Sequence, residues 1–318
     1  MSVHIPAPGA AAKSNPIASE STRNILCDLQ FRLHGWNRHT TNLSILKYYD
    51  FQGFMVTGQN SGTHWIKWML SHAMAHRYGV EPPRYINNDS SNDLIGHPKH
   101  KRIHPHLPRI ASSHSIPAYP LDWRWLRAVR RPPPYAVVVR DIRDVLVSHY
   151  EKWRADYRTP FSLYVQGDPS GKVFACDAWW YMRFLNRWGD IGARYPDETL
   201  ALRYEDVRAN PHDSLGRLAR HFRLDLSETD LLAGVAVGSK ACMLARQDPA
   251  IAERPIRPDG APGARFTQRD LQVLRGLLER HLRHDFGYAY FDAPKGFQGL
   301  RAIAEARTVE DARLSSAA

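Results

Sequence analysis

The 318-residue chain is poor in cysteine. Cys27, Cys176 and Cys242 are odd in number, widely separated and without C-x-x-C spacing, which argues against a disulfide framework and a structural zinc site. Long apolar runs are missing too: Ala136 to Val139 falls far short of the roughly 20 residues that span a bilayer, and Met1 to Ser14 lacks a continuous apolar signal core. We therefore expect a soluble, cytoplasmic protein with no integral membrane segment.

Acidic residues are also scarce, since 32 Asp and Glu stand against 43 Lys and Arg, a formal net charge of +11. This surplus predicts an anionic partner, which can be a phosphorylated small molecule, nucleic acid or an acidic membrane surface. The length fits two domains of roughly 150 residues or one larger α/β unit with tails. We expect a single domain over residues 46–292, with an N-terminal arm at 1–45 and a C-terminal tail at 293–318, because both ends are polar.

Short apolar runs alternate with helical patterns along the middle of the chain. Continuous apolar, β-branched runs are typical of strands covered on both faces. Their alternation with helices predicts an α/β fold with a central, mostly parallel sheet flanked by helices and ligands bound at the carboxyl ends of the strands. The predicted strands cover 54–57, 109–112, 136–140 and 199–203, and the predicted helices cover 63–78, 144–154, 177–195, 211–222 and 267–284.

The loop from Gly58 to Gly62 joins the first strand to its helix. A loop bounded by glycines that opens into a helix can present several N–H groups to one anion, and the helix dipole adds favourable potential there. It is not a Walker A loop, because Thr63 and His64 stand where lysine is needed. Nor is it a nucleophile elbow, because two residues rather than one separate Gly58 from Ser61. From these residues alone, an anion cradle and a plain strand-to-helix turn both stay open.

Three segments together resemble the cytosolic sulfotransferase family. Ser61 to Trp65 is similar to its 5′-phosphosulfate loop. Val139 to Tyr150 is similar to its 3′-phosphate segment, with Arg140 and Ser148 eight residues apart, and Leu202 to Pro211 matches its Tyr-Glu-Asp strand end. The resemblance implies a P-loop-containing sulfotransferase-like fold. It also implies an enzyme that moves the sulfuryl group of 3′-phosphoadenosine 5′-phosphosulfate (PAPS) to an acceptor hydroxyl by in-line displacement, without a metal, leaving 3′,5′-adenosine bisphosphate (PAP).

The same resemblance implies roles for individual residues. His114, within Ser112 to Pro117, is similar to the family's catalytic base, and histidine is well matched to proton transfer near neutral pH. Trp65 and Tyr204 would border the adenine. Arg257 lies in a segment only partly similar to the family's Arg-Lys-Gly-x-x-Gly stretch, and a solvated loop arginine is the other interpretation. The residues assigned to donor binding are Asn60, Ser61, Gly62, Thr63, His64, Trp65, Arg140, Ser148, Tyr204 and Arg257.

Two lysines of the family pattern are missing. Asn60 occupies the position of the lysine that bridges donor phosphate and sulfate, and Ser112 replaces the lysine before the catalytic histidine. Losing a donor of that kind typically costs about 10²–10³ in rate. Lys67 lies one helical turn after Thr63 and can lean back toward the loop. The basic stretch from His97 to His106 offers other cations, and its four histidines suit a solvated lid better than a metal site.

Other classes of function stay open at this point. A P-loop-type kinase would require ATP and magnesium, and the missing Walker lysine weighs against it. A catalytically degenerate nucleotide-binding protein or a basic nucleic-acid binder would need neither lysine. Aromatic residues crowd the stretch 150–188, which suits a wall for an apolar or sugar acceptor or simply a helix core. We expect a small-molecule, glycan or lipid acceptor and no nucleic acid, and we leave a homodimer open.

Overall fold

A parallel sheet lies at the centre of the computed structural model, which describes residues 20–41, 49–87, 89–97, 99–100, 102–250 and 265–291. Its five strands lie in the order β2-β3-β1-β4-β5, and every neighbouring pair is parallel. The predicted fold class is confirmed. The strands are β1 Gly53–Thr57, β2 Ile95–Gly96, β3 Ile110–Ser113, β4 Tyr135–Val139 and β5 Thr199–Arg203.

Helices make up most of the remaining regular structure. Five of them match the predicted helices to within a few residues at each end. Among the described residues, three short 3₁₀ turns cover Asp89–Asn92, Tyr119–Asp122 and Pro196–Glu198. Within the described part of the chain, no helix combines the length and apolarity that crossing a membrane requires. The helices are α1 Glu20–Thr41, α2 Thr63–Tyr78, α3 Arg124–Val129, α4 Ile142–Tyr157, α5 Phe161–Gln166, α6 Ala178–Arg194, α7 Tyr204–Ala209, α8 Pro211–His221, α9 Glu228–Ala236, α10 Lys240–Ala245 and α11 Gln268–His281.

Both faces of the sheet are covered, as the continuous apolar runs predict. Every residue of β1 and β4 is buried. On one face Phe54 packs in a cluster with Trp188 of α6. On the other face Met55 packs in a cluster with Met69 of α2 and Leu215 of α8. Because neighbouring side chains of β1 point to opposite faces, this one strand supplies both apolar layers.

Polar side chains mark where several helices begin. Asp141 accepts from the Arg143 N–H at the start of α4, and Asp177 accepts from the Trp180 N–H at the start of α6. Thr267 forms a capping box at the start of α11. These side chains satisfy amide groups that have no helix carbonyl to bond. The caps set where α4 and α6 begin, and both helices carry side chains that reach the loop after β1.

Helix α1 lies inside the segment predicted as an arm without sustained periodicity. Its Phe31 ring lies 5.2 Å from the Trp179 ring, centroid to centroid, and Asp28 Oδ1 lies 3.0 Å from His281 Nε2. The apolar residues of α1 lie on two faces rather than in one stripe, and therefore the sequence shows no single period. The domain boundaries near residues 45 and 292 stay a prediction.

Candidate functional site

The loop after β1 forms the N-terminal end of α2. Gly62 has φ 82°, and Asn60 has φ 56°, both in the left-handed region. The first intrahelical bond of α2 runs from the Ile66 N–H to the Gly62 carbonyl, at 3.0 Å. The amides of residues 63–65 precede that bond and therefore have no helix carbonyl to pair with. They form a helix N-terminus suited to an anion.

Glycine is required at position 62 for two reasons. Its left-handed backbone disfavours residues with a Cβ. A Cβ at Gly62 would also lie only 2.6 Å from the ring of Tyr204. The loop therefore meets the third predicted segment in close contact.

His114 lies beside this helix terminus. It follows β3, the neighbour of β1, and parallel strands bring their carboxyl ends to one edge. Its Nδ1 lies 2.8 Å from the carbonyl oxygen of Thr57, to which it donates. That bond assigns the proton to Nδ1, so Nε2 is the basic nitrogen. Thr57 Oγ1 lies 2.6 Å from Thr63 Oγ1, and this contact joins the histidine to the first turn of α2.

Arg140 lies against the same loop from the other side. It follows β4, and its Nη1 donates to the carbonyl oxygen of Asn60 at 3.0 Å. Its Nη2 lies 3.4 Å from Asp144 Oδ2, so Arg140 also forms an ion pair with the first turn of α4. The guanidinium carbon lies 4.7 Å from the centroid of the Tyr204 ring. Arg140 Nε is buried and, within the described ranges, has no hydrogen-bond partner.

The hydroxyl of Tyr181 on α6 connects Arg140 with Ser61 of the loop. Its hydroxyl accepts from the Arg140 N–H at 2.9 Å and donates to the Arg140 carbonyl at 3.0 Å. Ser61 Oγ lies 3.1 Å from the same hydroxyl, within hydrogen-bond distance. Ser61 and Tyr181 are fully buried, and burial raises the pKa of the Tyr181 phenol, which keeps it protonated. The side chain of Ser61 thus contributes to the shape of the loop. No sequence pattern predicted that Tyr181 would contact this loop.

Asn60 is paired with a buried histidine that sequence reasoning missed. Its Nδ2 lies 2.9 Å from Nδ1 of His149, and His149 Nε2 lies 2.8 Å from the hydroxyl of Tyr157. Burial, with smaller contributions from the charges of Lys152 and His114, lowers the pKa of His149 to about 3. His149 is therefore neutral near pH 7: Nδ1 accepts from Asn60 and Nε2 donates to Tyr157.

The position of the expected lysine therefore holds a neutral hydrogen-bonded pair. Lys67, the candidate for reaching back to the loop, instead donates to Asn92 Oδ1. The one sequence signal for His149 is its position directly after Ser148, within the segment from Val139 to Tyr150.

An aromatic pair flanks the helix terminus. The rings of Trp65 and Tyr204 lie 5.8 Å apart at 70°, edge to face, and Trp65 Nε1 donates to the carbonyl of Gly238 at 2.8 Å. Both side chains are half-buried, as is Ser148 on α4, whereas His64 is exposed. Arg257 lies outside the described residues.

The two acidic residues after Tyr204 fix the end of β5. Glu205 Oε1 accepts from the Asp141 N–H at 3.2 Å, and Oε2 accepts from the Tyr288 hydroxyl. Asp206 accepts two bonds from Arg203, at 2.8 and 2.7 Å. The Tyr-Glu-Asp segment therefore joins β5 to the start of α4 and to the chain beyond α11, which positions Tyr204 above the loop.

The basic stretch from His97 to His106 is held next to β3 by hydrogen bonds. Arg109 donates to the carbonyls of His97 at 3.1 Å and His100 at 3.0 Å. Among the residues for which the structure gives positions, there is no group of three or more His, Cys, Asp or Glu side chains that can hold a metal ion.

Comparison with known proteins identifies the family. The profile of the sulfotransferase domain family matches residues 50–236, more than half of the chain. The chain therefore belongs to the sulfotransferase domain family, and family and fold define it as a sulfotransferase enzyme. No curated protein matches it by sequence.

Solved structures resemble the chain at low sequence identity. Mouse sulfotransferase SULT7A1 complexed with PAP is 16% identical with a TM-score of 0.50, over 74% of this chain and 86% of that one. Retinol dehydratase in complex with androsterone and inactive cofactor PAP is 16% identical with a TM-score of 0.47, over 83% and 88%. At such identity the likeness of the first supports the fold alone.

Proposed function

We propose that this sulfotransferase moves the sulfuryl group of PAPS to the hydroxyl of an acceptor by in-line displacement, with His114 as general base. The observation that carries the proposal is the junction at Thr57. One of its oxygens accepts from His114 Nδ1 at 2.8 Å, and the other lies 2.6 Å from Thr63 Oγ1 at the start of α2. A base and an anion-binding helix terminus therefore meet at one point.

The residues present fit the donor at both of its ends. The amides at the start of α2 suit the 5′-phosphosulfate, with the helix dipole adding to them. Arg140 has a buried Nε without a partner among the described residues, and Ser148 follows two turns later, which suits the 3′-phosphate. Trp65 and Tyr204 suit the adenine. Arg257 remains a further proposed ligand of the 3′-phosphate.

Each protein group then has one task in the reaction. PAPS, when bound, supplies the sulfuryl group and a phosphate leaving group. His114 Nε2 takes the proton of the acceptor hydroxyl as that oxygen bonds to sulfur and the sulfur–oxygen bond to the 5′-phosphate breaks. The Thr57 carbonyl holds His114 in the tautomer that can accept this proton. The amides at the start of α2 stabilise the charge that develops on the leaving phosphate.

The first experiment measures binding. Titrate the protein with PAP, with ATP and magnesium, and with a random oligonucleotide by calorimetry. Tight binding of PAP alone supports the proposal. Binding of ATP that depends on magnesium would support a kinase instead, and binding of the oligonucleotide alone would support a nucleic-acid binder.

The second experiment measures transfer of radiolabelled sulfate to a panel of hydroxyl acceptors. His114→Ala should lower kcat by about 10²–10⁴, the range for loss of a general base, and leave the Kd for PAP unchanged. His212→Ala is the matched control, because His212 lies on α8 and pairs with Glu228. Equal activity of the His114 variant and this control would rule out His114 as the base.

The pair of Asn60 and His149 favours a second candidate, a nucleotide-binding protein that has lost catalysis. A neutral pair provides no cation at the position of the missing lysine. This candidate predicts tight PAP binding with no sulfate transfer to any acceptor in the panel. Measurable transfer that depends on His114 excludes it.

A further inference from the structure

Helix α1 has two different apolar faces. Cys27 and Phe31 point inward and pack on the core, and Gly35 is buried on the same side. Arg183 of α6 lies with its guanidinium carbon 4.9 Å from the centroid of the Phe31 ring, which adds to this attachment. One face of α1 therefore fully accounts for its docking on the domain.

The opposite face of α1 is also apolar, and it is exposed. At 3.6 residues per turn its five large apolar side chains fall within an arc of about 100°. Exposed apolar residues are ordinary when scattered singly, but a continuous stripe indicates an interaction site. The five side chains and their exposed fractions are Ile25 63%, Leu26 51%, Leu29 51%, Leu33 57% and Trp36 64%. We call these five residues the α1 stripe.

A second exposed apolar group lies on the element next to α1. The 3₁₀ turn Tyr119–Asp122 packs against α1, and the chain leaving that turn exposes Trp123, Trp125 and Val129. The rings of Trp123 and Trp125 stack with centroids 5.7 Å apart. Two neighbouring elements therefore present large apolar side chains to the outside.

Both apolar groups carry basic residues beside them. Arg32 is exposed at the edge of the α1 stripe, and Arg124, Arg130 and Arg131 are exposed on and after α3. Of the eight described residues of α1 that are exposed, five form the stripe, and the other three are Gln30, Arg32 and Asn37. None of these eight residues is acidic, and the partly exposed carboxylate of Asp28, beside the stripe, lies 3.0 Å from His281 Nε2.

Apolar side chains with arginine at their edge favour a membrane surface over a second copy of the chain as the binding partner. An amphipathic helix with Leu, Ile and Trp on one face and arginine at its edge is suited to the interface of a membrane that contains anionic lipids. A second copy of the chain fits less well, because a twofold interface would bring the same arginines of both copies toward each other. The net charge of +11 favours the acidic surface in the same way.

We propose that the α1 stripe, together with Trp123, Trp125 and Val129, binds the surface of a membrane containing anionic lipids. The side chains enter the headgroup region, and the domain stays outside the bilayer. This inference does not depend on the identity of the sulfuryl acceptor.

The test is sedimentation of the full chain with vesicles. Wild type should associate with phosphatidylcholine vesicles that contain phosphatidylglycerol, far more than with pure phosphatidylcholine, and added salt should weaken the association. The double variant Leu29→Ser/Leu33→Ser should lower the partition coefficient at least about tenfold, from the apolar area it no longer buries. Arg32→Gln should lower it about fivefold.

Leu232→Ser is the matched control, because Leu232 on α9 is 51% exposed, as Leu29 is, and lies outside the stripe. It should bind vesicles as wild type does, and circular dichroism should show that all variants are folded. Equal binding to neutral and acidic vesicles overturns the proposal, as does binding unchanged in the double leucine variant. A dimer in sedimentation velocity that the leucine variant dissolves would assign the stripe to a second copy and overturn it too.

Discussion

The two groups that contact Asn60, in the loop after β1, differ in charge. On the β4 side, Arg140 presents a guanidinium to the Asn60 carbonyl. The Asn60 side chain meets His149 of α4, which burial keeps neutral. We call the contact with Arg140 the charged side of Asn60 and the contact with His149 its neutral side. The charged side therefore suits binding of the nucleotide. The neutral side lacks the cation that the family pattern places at position 60 to help the leaving group.

The largest effect is expected on the charged side. Arg140→Gln should weaken PAP binding about 100-fold, because charge-assisted bonds to phosphate and the contact with the loop are lost together. Arg140→Lys should recover only part of the affinity, since lysine lacks the planar fork. Calorimetry with PAP measures both. Arg143→Gln is the control, because Arg143 pairs with Asp141 at the exposed surface; an equal loss there would mean that only net charge matters.

The buried link between Arg140 and the loop should come next. Tyr181→Phe removes a hydroxyl that bonds Arg140 and Ser61, and we expect a loss of about 1–3 kcal/mol in the free energy of unfolding. PAP affinity should fall as well, because the loop and Arg140 lose their shared support. Urea unfolding and calorimetry measure the two effects.

Tyr164→Phe is the matched control for this link. The Tyr164 hydroxyl is also buried and donates to the Cys176 carbonyl, at 2.8 Å. Its removal should lower stability by a similar amount and leave PAP affinity unchanged. If both variants affect affinity alike, the link between loop and strand has no specific role.

On the neutral side, His149 should make stability depend on pH. The unfolded chain binds a proton at this histidine below about pH 6.5, whereas the folded chain does so only near pH 3. Its contribution to stability is therefore present above pH 6.5 and is lost as the pH falls toward 3. Between pH 7 and 5 this amounts to about 1–2 kcal/mol. His149→Gln should lose less stability than wild type over that range in urea unfolding; parallel curves would contradict a buried neutral histidine.

Adding a cation to the neutral side should give the smallest change. Asn60→Lys should raise kcat for sulfate transfer about tenfold, less than the full effect of a donor to the leaving group, because lysine must adopt a left-handed backbone and lose the bond to His149. Asn60→Gln supplies the neutral comparison. A fall in kcat with lysine would mean that the neutral pair is part of a working site.

Much of the fold was predictable because its determinants are local. Buried parallel strands are continuous apolar runs, and α2 begins at Thr63 and ends at Tyr78 as its pattern predicts. The edge strand β2 was not predicted, because two residues carry no periodicity. Helix α1 was missed because apolar residues on two faces hide the amphipathic signal.

The candidate site was predictable in part for the same reason. His114 and Arg140 follow predicted strands, and parallel strands bring such positions to one edge of the sheet. The roles proposed for them remain to be tested. His149 and Tyr181 were beyond sequence reasoning, because a histidine or tyrosine on a helix shows its partners only when distant elements pack together.

The order of strands and helices, the glycine-bounded turn and the missing lysine at position 60 are all determined by the sequence alone, because each depends on residues close together in the chain. Which groups meet around that turn was decided only by the tertiary structure. Packing of α4 and α6 against the end of the sheet brings His149 to Asn60 and Tyr181 to Ser61. Burial, which no local pattern specifies, then keeps that histidine uncharged and that phenol protonated.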